Sequence, residues 1–258
     1  MARLPPEFLS KLALLDKVSE VMGQVLNCHF TIEANDPEAL YKKVVLAAMV
    51  RSRRAFESFR LLLKQGLYED AIVVLRSIFE LVVHLKYIKA DPIARAKRFL
   101  SYWFLMARRL EEGMKEAFKG APEWLSEDQK ALLNTKVAAL KGTYADKNSW
   151  SDSRLRDMAK KVGMEFNYKI LYRIHCQFVH PSPHMISLYL KKNGKGELSL
   201  ESAPSLVPGR CTVPMMEACG YSIEIMKMGN EVLNLGGGAC LEALQKDYAT
   251  EFGDLAKK

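Results

Sequence analysis

Cysteine is scarce in this chain and nowhere clustered. The five, Cys28, Cys176, Cys211, Cys219 and Cys240, are odd in number and widely spaced, and no Cys-x-x-Cys occurs. That pattern argues against a disulfide framework or a zinc knuckle and fits reduced, cytoplasmic thiols. Long apolar runs are missing too. The longest, Ala71 to Leu85, is interrupted by Arg76, Glu80 and His84, which makes it too short and too charged to span a bilayer. The opening Met-Ala-Arg-Leu-Pro-Pro-Glu lacks the apolar core of a signal peptide, so a cytoplasmic location without membrane contact is expected. Gly236-Gly237-Gly238 follows no strand signal and carries no Gly-Lys-Ser/Thr, which argues against a phosphate loop and for a bend between helices. No His-Glu-x-x-His pattern is present, so neither a metal nor another cofactor is expected.

What the chain does have is positive charge. Lys and Arg outnumber Asp and Glu by 38 to 30, a net +8. The excess favours anionic partners such as RNA or phosphorylated ligands. It is spread along helical stretches rather than gathered in a tail, as solvated helix faces are. The apolar fraction, 49%, suffices for a sizeable core.

Helical periodicity dominates the organisation. Pro5-Pro6 starts a first helix that runs to about Asn27. Asp36-Pro37-Glu38 looks like a capped second start, and the amphipathic pattern then runs to Gln65, where Gly66 breaks it. A third helix covers Leu67 to Lys89, and Asp91-Pro92 opens a fourth. Ser126-x-x-Gln129 has the form of a capping box for a short fifth helix. Two more helices fall at Ser153 to Lys161 and Asn167 to Val179. Alternating apolar residues on both sides of Asn193-Gly194 predict a β-hairpin near 186–201. A Pro-rich connection from Ala203 to Pro214 leads to C-terminal helices over 215–252. No repeat or low-complexity linker divides the chain. The expectation is a mainly all-α multi-helix bundle with one small hairpin, built as a single domain over 1–258 with its core at about 36–184.

Within the third helix, Ala71 to Leu85 is apolar on nearly every side, as a helix in the middle of a bundle should be. Yet Arg76, Glu80 and His84 recur every four residues and so form one stripe. Burying them costs several kcal/mol per ion unless they pair. Arg76 and Glu80 can pair with each other, and Glu80 can reach His84. The stripe is either a core ion pair or the wall of a polar cleft. Arg53, Glu57, Arg60 and Lys64 form a similar line on the preceding helix; facing Arg76 and Glu80, it would close a charged seam.

Three of the five histidines, His175, His180 and His184, fall within ten residues. If Asn167 to Val179 is helical, then at ~100° per residue Arg173 and His180 share a face, with Lys169, Cys176 and Gln177 beside them. Ile170, Leu171, Ile174 and Phe178 make a separate apolar arc expected to meet the core, with His175 packing at its edge. His180 precedes Pro181 and therefore caps or leaves the helix. His184 lies beyond two prolines, where helical spacing no longer applies. Arginine with histidine suffices for metal-free phosphodiester chemistry. The guanidinium neutralises phosphate oxygens with a planar fork of donors, and the imidazole titrates near neutral pH and passes the proton.

The interval from Arg173 to His180, with six residues between, resembles the Arg-x(4–6)-His signature of the HEPN superfamily, helical-bundle proteins that include RNases of toxin and antiviral systems. That resemblance implies a homodimer whose two motifs face each other, Arg173 on the scissile phosphate, and His180 assisting attack by the RNA 2′-hydroxyl. The runs Leu75-Arg76-Ser77-Ile78-Phe79-Glu80 and Phe178-Val179-His180-Pro181-Ser182 are also similar to a family of uncharacterised bacterial helical proteins, over roughly Arg53 to His184. The resulting expectation is a HEPN-like nucleic-acid-acting protein, a metal-independent endoribonuclease of a stress, defence or toxin–antitoxin system. Arg173 and His180 would be catalytic, with Arg76, Glu80, His84, Gln177 and His184 in support. Two rival expectations use the same residues. One is a non-catalytic interaction module held by an Arg/Glu/His network, and the other a pocket for a small phosphorylated ligand.

Overall fold

The structure, a computed structural model, describes residues 5–33, 35–118, 125–144, 149–179, 183, 189–192, 194–200 and 207–253. Its frame is a helical hairpin. Helix α2 (Ala39–Lys64) runs into α3 (Tyr68–Lys89) through a tight turn. Gly66 makes that turn with φ +77, and the Leu67 amide donates to the Leu62 carbonyl at 2.9 Å. A left-handed residue of this kind ends helices because glycine adopts it without steric cost.

The apolar residues of α3 on several sides need several neighbours, and α3 has them. It touches α2, α4 (Pro92–Ala117), α6 (Leu155–Lys161), α8 (Arg173–Val179) and the long C-terminal helix α9 (Pro208–Leu233). Leu75, Ile78, Phe79 and Val82 on α3 are buried together with Phe56 and Phe59 on α2. Helix α1 (Pro6–Leu26) and α10 (Gly238–Phe252) close the α9 side, while α5 (Glu127–Ala139) packs on α4. Among the described residues no helix is long and apolar enough to cross a membrane.

Several sequence signals act as expected. Pro6 opens α1. Asp91 caps α4, its side chain accepting from the Ala94 amide at 3.3 Å. Ser126 and Gln129 form a reciprocal capping box, each accepting from the other's backbone amide. Three details differ. Asp36 does not cap α2. Its carboxylate accepts from the Glu38 amide at 2.8 Å and binds Lys42 at 2.5 Å, so it shapes a turn and the helix starts at Ala39. The stretch from Pro208 to Pro214 is helical rather than a connection. Pro208 occupies the first turn, where no amide is needed, and Pro214 is buried, so packing outweighs its lost hydrogen bond. The hairpin is present, with strands β1 (Leu190–Lys192) and β2 (Leu198–Leu200) antiparallel and Leu190 opposite Leu200. Its connection is 193–197, longer than a two-residue Asn-Gly turn, and Gly196 takes the positive φ, +85. The bend at Gly236-Gly237-Gly238 separates α9 from α10, and Asn230 Oδ1 accepts from the Gly237 amide there at 2.7 Å.

One close approach fixes how α2 crosses α9. A Cβ on Gly229 would lie 2.0 Å from Met49 Sδ, and Met49 is fully buried. Gly229→Ala should therefore lower stability by about 1–3 kcal/mol, as overpacking does, although alanine is the better helix former. Urea unfolding measures it. Met49→Ala in the same chain should recover part of the loss; no recovery would mean that the two helices do not meet there.

Candidate functional site

The segment expected to be one α-helix over Asn167 to Val179 has three parts. Helix α7 (Glu165–Asn167) passes into a π-helical turn, Tyr168–Tyr172, and then into α8. A π turn inserts residues relative to an α-helix, and such insertions recur at functional sites. Its effect is to rotate the faces. Ile170 and Ile174, assigned above to the core arc, are 47% and 49% exposed and Tyr172 turns inward, while Phe178 and His175 pack inward as expected. A wheel drawn at ~100° per residue cannot carry phase through such a turn.

The inserted turn delivers Tyr172 to the stripe on α3. Its hydroxyl donates to Glu80 Oε1 at 2.7 Å. Arg76 Nε donates to that carboxylate oxygen and to the tyrosine oxygen, both at 3.0 Å. The guanidinium lies over the Tyr172 ring, 5.2 Å from its centroid, and Tyr172 stacks on Tyr168. Burial, reinforced by Glu80, pushes the Tyr172 phenol well above its ordinary pKa. Burial works against the Arg76 charge, but Tyr172 and Glu80 outweigh it, and Arg76 stays cationic.

His84, expected to continue the stripe, belongs to an aromatic pocket instead. Its ring meets Trp150 edge-on at 5.7 Å and Phe99 at 6.4 Å. Burial holds its pKa below 6.5, and the Glu80 charge opposes this only weakly. The folded state thus favours neutral His84. Its contribution is intact above pH 6.5 and is lost as the pH falls below that value toward the depressed folded pKa. Melting temperature should drop between pH 7 and pH 5, and His84→Gln should flatten that slope. An unchanged slope would show that His84 does not titrate in this window.

The line Arg53, Glu57, Arg60 and Lys64 does not face Arg76 and Glu80. It meets α1, where Arg60 and Lys64 hold Asp16 at 2.5 and 2.6 Å and Ser19 donates to Glu57 at 2.7 Å. No charged seam therefore forms between α2 and α3.

Arg173 is exposed at the start of α8, and Gln177 lies exposed one turn on. Neither joins the Arg76–Glu80–Tyr172 cluster. Cys176 is half-buried against the core. His180 and His184 lie outside the described residues. Among the described residues no group of His, Cys, Asp and Glu is placed to hold a metal ion.

Sequence reasoning missed a second polar cluster on the inner side of α8. His175, 4% exposed, brings Nε2 within 3.3 Å of Glu217 Oε2 on α9. Glu217, equally buried, accepts from the Tyr221 hydroxyl at 2.8 Å, and Asn167 donates to Tyr221 at 3.1 Å. Burial, with Glu217 adding to it, drives the Tyr221 phenol far above its ordinary pKa. Phe79 separates the two clusters, with ring centroids 5.1 Å from Tyr172 and 5.6 Å from Tyr221. The available signal was Glu217 itself, the one charged residue between Met215 and Ile223.

The sequence over 42–197 matches the model of a family described as Family of unknown function (DUF5677). That span exceeds half of the chain. The chain belongs to this family. The matched span carries the DUF5677 assignment from early α2 to the hairpin and includes Arg76, Glu80, Tyr172, Arg173 and His180, whereas Glu217 and Tyr221 lie beyond it. No curated protein and no solved structure matches the chain.

Proposed function

We propose that this DUF5677 protein acts on nucleic acid as a HEPN-like, metal-independent endoribonuclease of a stress, defence or toxin system. One observation carries the reading: Arg173 is solvent-exposed and stands apart from the neighbouring cluster, in which Arg76, Glu80 and Tyr172 satisfy one another. A guanidinium in that position can fork onto a phosphate. In the proposed reaction Arg173 neutralises the non-bridging oxygens while His180 takes the proton from the 2′-hydroxyl. The 2′-oxygen attacks phosphorus, the P–O5′ bond breaks, and the departing 5′-oxygen takes a proton from water while protonated His180 returns its proton to solvent, leaving a 2′,3′-cyclic phosphate and a 5′-hydroxyl.

A second copy of the chain is the proposed partner. Phe166, Ile170 and Ile174, at 58%, 47% and 49% exposure, line the outward surface beside Arg173. A two-fold contact along that stripe would cover it and bring the two arginines to one cleft. Purified protein should cleave RNA in the presence of EDTA, and His180→Ala should abolish the cleavage. Activity that survives the substitution rejects the reading.

A non-catalytic interaction module is the second reading, and the Arg76–Glu80–Tyr172 cluster favours it, because it fastens α3 to the π turn. Glu80→Ala should then cost about 1–2 kcal/mol, a figure kept small because both charged groups are partly solvated. Thermal unfolding measures it, and a variant as stable as the parent would count against a structural role.

A further inference from the structure

The groove between α1 and the middle of α2 has no part in the reaction proposed above. It measures about 1090 Å3, just above the usual size range for small-molecule sites. Three arginines, Arg51, Arg53 and Arg54, line it, and all three are exposed. Leu26, Leu46 and Val50 supply apolar surface, and Phe30, 36% exposed, stands among the lining residues.

Among the described residues of this lining the only acidic one is already engaged. Glu57 is gripped by both Arg60 Nε and Nη2 and accepts from Ser19 at 2.7 Å. The Arg60 bonds hold its carboxyl below the usual range against the effect of burial. Three arginines therefore line the groove, and the carboxylate beside them is neutralised chiefly by Arg60, with a smaller share from the charge of Arg53.

Arg53 also has a made seat. Gly23 is buried within α1, and a Cβ there would come 3.0 Å from Arg53 Nη2. Glycine inside a helix costs about 1 kcal/mol relative to alanine. Here its bare backbone gives the guanidinium room to lie against α1. An arginine held this way gives up less freedom when it binds a phosphate than one moving free in solvent.

We infer that this groove binds a phosphate ester with a planar, partly apolar body, the chemistry of a nucleotide, whether free or within a single strand. The arginines take the phosphate in bidentate fashion. Phe30 offers a ring for a base to stack on, and Asn27 and Ser58 provide polar groups for sugar or base edges. The inference does not rest on Arg173 or on RNA cleavage.

Calorimetric titration of the full chain at low salt tests it with three probes: inorganic pyrophosphate, ADP and a short oligothymidylate. Thymidylate lacks the 2′-hydroxyl, so the result is independent of the proposed cleavage. ADP or the oligonucleotide should bind at least tenfold more tightly than pyrophosphate. Tighter binding of ADP assigns a free nucleotide, and tighter binding of the oligomer assigns a strand. The double variant Arg53→Gln, Arg54→Gln should weaken binding tenfold or more. Gly23→Leu leaves the net charge unchanged but evicts the guanidinium, and should weaken it severalfold. The inference is overturned if neither organic probe binds, if pyrophosphate binds as well as ADP, or if either variant binds like the parent.

Discussion

Glu217→Ala should lower the unfolding free energy by about 1–3 kcal/mol, the usual cost of leaving a buried polar group without its partner. In a chain of this size that is a fall in melting temperature on the order of 5 °C. The carboxylate sits between α9 and α8 with almost no solvent contact. One oxygen accepts from Tyr221, and the other lies 3.3 Å from His175 Nε2 without a hydrogen bond. Alanine would leave a buried phenol without its acceptor and a buried imidazole, whose Nδ1 already lacks a partner, without its counter-group. Unsatisfied groups of that kind cost more than the bonds they formed were worth. Glu217→Gln keeps the volume and an acceptor for Tyr221, so it should be much milder. Replacing both partners, Glu217→Leu with His175→Leu, should recover most of the loss, because an apolar pair needs no hydrogen bonds. Chemical denaturation of the three variants decides the matter. A single Glu217→Ala variant within 1 kcal/mol of the parent would show that the cluster does not tie α8 to α9.

What the sequence revealed of this molecule depended on whether the signal was local. The caps at Asp91 and Ser126, the break at Gly66 and the all-round apolar character of α3 each depend on a few adjacent residues, and each appears where expected. The Arg76–Glu80 pair follows from i,i+4 spacing alone. Tyr172, the third member of that cluster, was not foreseen. It arrives through a π turn, and no residue pattern in Tyr168 to Tyr172 announces one. The same insertion exposes Ile170 and Ile174, whereas His175 packs inward as its place at the arc's edge suggested, and what was not foreseen is its neighbour Glu217. Partners 42 residues apart on different helices cannot be paired by periodicity. The Arg53-to-Lys64 line was visible as a stripe, but its neighbour depended on how α1 docks, which is a tertiary fact.

The proposed ribonuclease makes its sharpest demand on Arg173. Arg173→Ala should reduce kcat/KM for RNA cleavage by about 10²–10³, the range for losing one donor that stabilises transition-state charge. Arg173→Lys should recover only part of this, since an ammonium gives a point charge where a planar fork is needed. Because Arg173 is exposed at the start of α8, neither substitution should move the melting temperature appreciably. Arg76→Lys should show the opposite pattern. Lysine lacks the Nε that bonds both Glu80 and Tyr172, so stability should fall while cleavage persists. Arg173 directly follows Tyr172, which Arg76 bonds, and a merely electrostatic contribution to RNA affinity would make the two variants lose activity to similar degrees. The reading requires them to separate, with catalysis following Arg173 and stability following Arg76. Cleavage by Arg173→Ala within threefold of the parent, in EDTA and at matched salt, would remove Arg173 from the reaction and with it the proposed mechanism.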